Sequence, residues 1–206
     1  MAGMQAVLTG DIVNSTQLTP ASERKLLRLL RQVLAPYLYE FYRGDSFQVY
    51  QPMATDALKT ALLCRTLAIS IKTGQDVSSD IRISIGIGKA ARVKALSTAK
   101  GEAFFLSGRA FDEIAKTNTR LVMAAGNPLA QQALQVIADY VDTIFKDMTS
   151  KQASVIFELL KGESQQTVAT KLKKSKSTIN QHVSAGKWAE IEKLLQQYGN
   201  IVNLLS

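Results

Sequence analysis

Cysteine, histidine and tryptophan occur once each in 206 residues. A lone Cys64 cannot close an internal disulfide, and Cys64 with His182 falls short of the four ligands of a structural zinc site. A reduced, cytoplasmic protein is therefore expected. Prolines number four and glycines twelve, and with 46% hydrophobic and 20% charged residues the chain is neither collagen-like nor disordered. Long apolar runs are missing too. Ala61–Ile71 is broken by Arg65 and Leu129–Phe145 by Asp139 and Asp142, against the ~20 clean residues a bilayer requires. No membrane segment is expected, and no charged stretch followed by an apolar core marks a secretion signal.

Acidic residues are also scarce: 17 face 25 basic ones, for a net charge of +8. The segment 161–187 holds Lys161, Lys171, Lys173, Lys174, Lys176 and Lys187 against the single acid Glu163. Such a run is either a solvated lysine face or the footprint of a polyanionic partner.

Hydrophobic spacing lays out the elements. Gln5–Ile12 predicts a buried strand, Asn14–Pro20 a turn, and the segment from Ser22 a helix that Pro36 ends. Tyr39–Tyr42 and Phe47–Tyr50 flank Arg43-Gly44-Asp45-Ser46 as a hairpin would. Asp56 is an N-cap candidate for a helix to Ile71. Ile81, Ile83, Ile85 and Ile87 alternate with Arg82, Ser84, Gly86 and Gly88, the period of a strand. Glu102–Lys116 predicts a helix, Arg120–Ala125 a strand, and Pro128–Met148 a long helix. The order βαββαβαβ predicts an α+β, ferredoxin-like domain with helices on one face of an antiparallel or mixed sheet. After Met148 only short helices follow, over 151–160, 165–173, 177–188 and 189–198. Two domains are expected: 1–148, ending in a connecting helix 128–148, and 149–206.

In the second part, Gly162 stops one helix, Ser164 caps the next, and another opens at Ser177. Two short helices across a tight turn make a helix-turn-helix, whose second helix fits the ~12 Å major groove. Asn180 and Gln181 are candidate readers of base edges, while Ser175, Lys176, Ser177, Thr178 and His182 suit phosphates. A helical bundle that docks against the N-terminal domain or a protein partner is the other reading. Gln165-Gln166-Thr167-Val168-Ala169, Leu172, Ser175, Ser177-Thr178-Ile179 and His182 resemble a LuxR-type or sigma-factor region-four helix-turn-helix. That resemblance implies DNA contact by these residues.

In the first part, Asp11 ends a strand and Asp45 sits on the hairpin. On neighbouring strands, two carboxylates at one sheet end can hold Mg²⁺ and, through it, nucleotide phosphates, with Asn14, Ser15 and Thr16 lining the phosphate side. On spacing alone, turn and capping roles are the favoured reading of both aspartates. Asp11-Ile12-Val13-Asn14-Ser15-Thr16 and Arg43-Gly44-Asp45-Ser46-Phe47 resemble the two metal-binding segments of class III nucleotide cyclases. Gly101 and Arg109 keep the spacing of the cyclase glycine and transition-state arginine. The resemblance implies metal ligation by Asp11, Asp45 and the Ile12 backbone, and a two-chain site. It departs where Phe105 replaces the ribose-orienting asparagine and Phe41 a base-reading lysine, so efficient turnover is not expected.

Over its whole length the chain resembles the SatD family, through Gly-Asp-Ile-Val (Gly10–Val13), Arg43–Gln48, Ile85–Gly88, Gly101–Phe104, Ser107–Ala110 and the terminal helix-turn-helix. The expected function is a DNA-binding, transcriptional regulator with a degenerate cyclase-like sensor or dimerisation domain, working as a homodimer and taking Mg²⁺-nucleotide if any ligand. A divergent nucleotidyl cyclase or nucleotidyltransferase with Arg109 in catalysis, and a protein-interaction module, are the alternatives.

Overall fold

The computed structural model describes residues 3–42, 44–71, 79–90 and 93–205. Arg43 of the hairpin motif and Arg92 of the loop before Glu102 lie outside the described residues. The elements run β1 (Gln5–Val13), α1 (Pro20–Leu34), β2 (Leu38–Tyr42), β3 (Ser46–Gln51), α2 (Ala57–Ser70), β4 (Asp80–Gly88), α3 (Glu102–Ile114), β5 (Leu121–Ala125), α4 (Pro128–Lys146), α5 (Ser150–Leu160), α6 (Gln165–Leu172), α7 (Lys176–Ala185) and α8 (Trp188–Leu204).

The sheet order β2-β3-β1-β4-β5 contains the antiparallel ferredoxin-like arrangement, and β5 adds in parallel beside β4. Along β4 the isoleucines face one way, paired with Ala6, Leu8 and Ile12 of β1, and join the core under α2 and α4. The second face of β4 is buried as well, because α3 lies on it. Helices therefore cover both faces rather than one. Gly86 makes this possible: a side chain there would run into the Ala103 carbonyl and the Ser107 backbone of α3. Thr9, Ser84 and Ser107 fill the same tight seam, with Thr9 Oγ1 2.8 Å and Ser84 Oγ 3.1 Å from Ser107 Oγ.

Local chemistry explains several boundaries. α1 begins at Pro20 rather than Ser22, since proline needs no N–H at the first helical position and Thr19 caps it by accepting from the Ser22 amide. Asp56 is no cap: its backbone is helical, it ends a 3₁₀ turn, and its side chain makes no capping bond. The stretch before α3 is held by a bridge between Ala90 and Gly101, a 3₁₀ turn over Leu96–Thr98 and burial of Leu96.

α4 ends at Lys146 and α5 starts at Ser150 behind a capping box of Thr149 and Gln152. α5 packs along α2, and one apolar cluster runs from the sheet through α2 to Ile156, Val168, Ile179, Ile191 and Tyr198. Arg65, 1% exposed, binds Asp80 at 2.8 Å and Asp142 at 2.6 Å, tying α2 to β4 and α4. Asp142 also accepts from the Arg120 and Leu121 amides, which fixes the start of β5. Among the described residues no helix is long and apolar enough to cross a membrane.

Candidate functional site

Two places collect the residues singled out above. The first is built on α6 and α7. Ser164 caps α6 by accepting from the Thr167 amide at 3.1 Å, and Gly162 closes α5 with a positive φ of 91°. Lys173 then takes the left-handed conformation, φ 53°, and Lys174 donates its amide back to the Ala169 carbonyl. That turn occupies three residues, because Ser175 already caps α7 through the Thr178 amide at 3.1 Å. The Ser175 and Thr178 hydroxyls lie 2.9 Å apart, so both are engaged in the cap. α7 anchors inward through Ile179 and half-buried Val183, and His182 is half-buried with them. Outward, Lys173, Lys174, Ser175, Lys176, Ser177, Asn180 and Gln181 are exposed, as are Gln165 and Gln166 at the start of α6.

The lysines divide into two groups. Lys171 is bound by Glu158 and Glu163, Lys161 by Glu158 at 3.1 Å, and Lys187 lies 3.9 Å from Glu190. Lys173, Lys174 and Lys176 have no ion-pair partner among the described residues, and all three sit on the turn or the first residue of α7. Local charge counting along the sequence made no such distinction. The long helix expected over 177–188 also ends early. Lys187 is left-handed, φ 58°, and Trp188 starts α8 rather than ending α7. Gly186 permits the break, since a side chain there would press on the His182 carbonyl and Ile156.

The second place is the end of β1. Pairing of β1 with β3 sets Asp11 opposite Ser46, and the Ile12 amide donates to the Asp45 carbonyl at 3.2 Å, so the two aspartates meet at one sheet end. Burial pushes the Asp11 carboxyl up, Arg82 pulls it down, and the nearby Asp45 pushes it up again, for a net rise above 3.8. Arg82 lies 3.7 Å from Asp11 Oδ2. Asp11 Oδ1 is buried and accepts no hydrogen bond among the described residues, while Arg82 Nε is likewise without an acceptor. Asp45 accepts from the Ser15 hydroxyl at 2.8 Å, so that hydroxyl is turned to the carboxylate.

Asn14 is exposed and left-handed, and Thr16 is exposed beside it. Asn14 lines a neighbouring polar cavity of about 670 Å³ with Asn118, Thr119, Arg120 and Lys146, which neither Asp11 nor Asp45 lines. Arg109, 70% exposed on α3, pairs with Glu113 one turn on, at 3.2 Å, rather than with either aspartate. Among the described residues no three His, Cys, Asp or Glu side chains gather as a metal site. Two carboxylates with one orphaned oxygen still suit a hard divalent cation that completes its shell with water and phosphate oxygens. The chemistry of this pair fits Mg²⁺, which Asp11 and Asp45 would hold together with the Ile12 backbone.

No known protein family and no curated protein matches the sequence. Among solved structures the chain is similar to a bacterial light-regulated adenylyl cyclase, at 12% identity over 59% of this chain and 75% of that one, with a TM-score of 0.40. It is also similar to the guanylyl cyclase Cya2, at 18% identity over 60% of this chain and 77% of that one, with a TM-score of 0.39. Likenesses this distant carry nothing about activity, and the strand order above stands without them.

Proposed function

We propose that the chain is a DNA-binding regulator in which α6 and α7 act as a helix-turn-helix and the α+β part positions them. One observation carries this reading: the turn before α7 and the outward side of α7 are exposed and present Lys173, Lys174 and Lys176, without ion-pair partners among the described residues, beside Asn180 and Gln181. A helix of this polarity fits the major groove, where Asn and Gln bind adenine edges through paired hydrogen bonds. The lysines, Ser177 and the first amides of α7 hold phosphates, and Gln165 and Gln166 of α6 reach the backbone alongside. Ser175, Thr178 and His182 support the helix from its cap and flank. Pairing of two copies would place two heads on half-sites about 34 Å apart. The SatD and LuxR-type resemblances, which rest on the motifs alone, agree with this reading.

Selection from random duplexes followed by a salt series tests it. Three phosphate-binding lysines give log K against log[salt] a slope of about −2.7 per head. Lys171→Gln leaves that slope unchanged, because Glu158 and Glu163 already hold the charge. Failure to retard any duplex at about 50 mM salt overturns the proposal.

A second reading rests on the orphaned Asp11 Oδ1. Mg²⁺ held by Asp11, Asp45 and the Ile12 backbone would present a nucleotide's phosphates to Asn14, Ser15 and Thr16. When bound, the metal neutralises phosphate charge. Arg109 would serve an enzyme only after leaving Glu113, and Phe105 and Phe41 leave ribose and base unread. Nucleotide binding without pyrophosphate release marks a sensor. Release that Asp11→Ala and Asp45→Ala abolish marks an enzyme, and equal behaviour of wild type and both variants removes the site.

A further inference from the structure

α1 and α5 both pack on α2, and between them lies a cleft of about 600 Å³. Leu63, Leu67 and Ile71 form its floor, Leu29 and Val33 the α1 wall, and Phe157 the α5 wall, while Leu172 closes one end. An adjoining hollow of about 390 Å³ shares Val33, Leu63 and Lys161 with it and prolongs the cleft. The inner side of α1 is sealed through Leu26, Leu30 and Leu34, whereas Leu29, Val33, Leu63, Phe157 and Leu172 stay half-exposed. Apolar groups therefore face water across a concave surface, within the size range of small-molecule sites. The rim carries two lysines and one acid, Lys25, Lys161 and Glu158. Lys25 has no ion-pair partner among the described residues, and Lys161 shares the Glu158 carboxylate with Lys171.

We propose that this cleft binds a small amphipathic anion: an acyl chain of about eight to twelve carbons ending in a carboxylate. The tail lies on Leu63, Leu67 and Phe157, and the head meets Lys25, the lining cation without an ion-pair partner among the described residues. Leu172 is the last residue of α6, and the next residue, Lys173, opens the turn into α7. Occupancy presses on the joint that aims α7, so the ligand regulates DNA affinity. That regulatory clause rests on the DNA-binding reading, whereas the cleft itself does not.

Calorimetry on the full chain with hexanoate, octanoate, decanoate and decanol tests the site. Binding is expected to saturate at one ligand per chain and to tighten about three- to fourfold per added methylene. Decanol is expected to bind about tenfold more weakly than decanoate. Leu63→Trp fills the floor and abolishes binding. Because that variant risks misfolding, Lys25→Gln on the exposed side of α1 gives the second measure: decanoate weakens about tenfold, while decanol binding and Tm hold. No heat from decanoate at about 1 mM, affinity independent of chain length, or unchanged decanoate binding by Lys25→Gln overturns the site. A duplex-binding midpoint that decanoate moves supports the coupling, and one that it leaves in place overturns it. Decanoate binding without affinity for any duplex sinks the DNA reading and leaves the cleft standing. Duplex binding without decanoate binding does the reverse.

Discussion

The phenolic hydroxyl of Tyr198 donates to the carbonyl of Ala54 at 2.7 Å, with both residues buried. It joins α8 to the loop that follows β3 and so fastens the last helix to the first half of the chain. Ala54 also accepts from the Ala57 amide, so its carbonyl keeps one partner if the tyrosine is lost. Tyr198→Phe is expected to cost about 1 kcal/mol, and Tyr198→Ala, which opens a cavity, about 3–5 kcal/mol. Trp188 fluorescence and far-UV circular dichroism should report one coincident unfolding transition in the wild type. Two separated transitions would show that the halves melt independently.

Arg65 sits at the junction of α2, β4 and α4, stacked 4.7 Å from the Phe145 ring and held by two carboxylates. Removing one member of such a group strands the others. Arg65→Ala is expected to lower stability by about 3–5 kcal/mol. Denaturant midpoints at constant m-value measure it, and a loss under 1 kcal/mol would mean that water replaces the guanidinium freely.

Lys173 spends its left-handed conformation on the turn before α7. Lys173→Gly relieves the strained backbone but frees the unfolded chain, a net gain of about 0.5–1 kcal/mol. The same change removes a phosphate contact, so the salt slope of DNA binding should flatten by about 0.9. Stability and affinity thus move in opposite directions. Lys173→Gln should flatten the slope without raising Tm, which separates charge from backbone.

Asp11 has a folded-state pKa above its ordinary 3.8. The folded state then holds its proton more tightly than the unfolded one, and this group's contribution to stability falls as pH climbs from 3.8 through the raised value. Asp11→Asn is expected to be more stable than wild type at pH 7, with the gain vanishing in acid, in paired denaturant titrations. Saturating Mg²⁺-nucleotide should stabilise the wild type and leave Asp11→Asn untouched. Equal stabilisation of both would remove Asp11 as a ligand.

The sheet was legible because its signals are local: alternating isoleucines in β4, aromatic strands around Gly44-Asp45, proline and glycine punctuation. The caps at Ser164 and Gly162 were legible for the same reason. What escaped depends on neighbours far along the chain. Ser84, Gly86 and Gly88 were legible only as the alternate positions of β4, yet Gly86 is the close-approach point for α3. Arg65 looked like an interruption in an apolar helix, and only Asp80 and Asp142 make its burial tolerable. At the candidate sites, Asp11 and Asp45 meet at one sheet end because β1 pairs with β3, a non-local pairing that the hairpin between β2 and β3 does not set. Arg82 as the neighbour of Asp11, and Glu158 and Glu163 as the partners that take Lys171 out of the basic run, come from packing that no spacing rule encodes.

The common core of sheet and terminal helices has a consequence during synthesis. Residues 1–148 leave the ribosome before Ser150–Leu160 can cover the flank of α2. At ~5–20 residues per second, the segment from residue 149 through α8 takes roughly 3–12 s to appear, and through that interval the nascent protein leaves Leu63 and the Ala54 loop uncovered. Demand for holding chaperones should peak late in translation and collapse once α8 arrives.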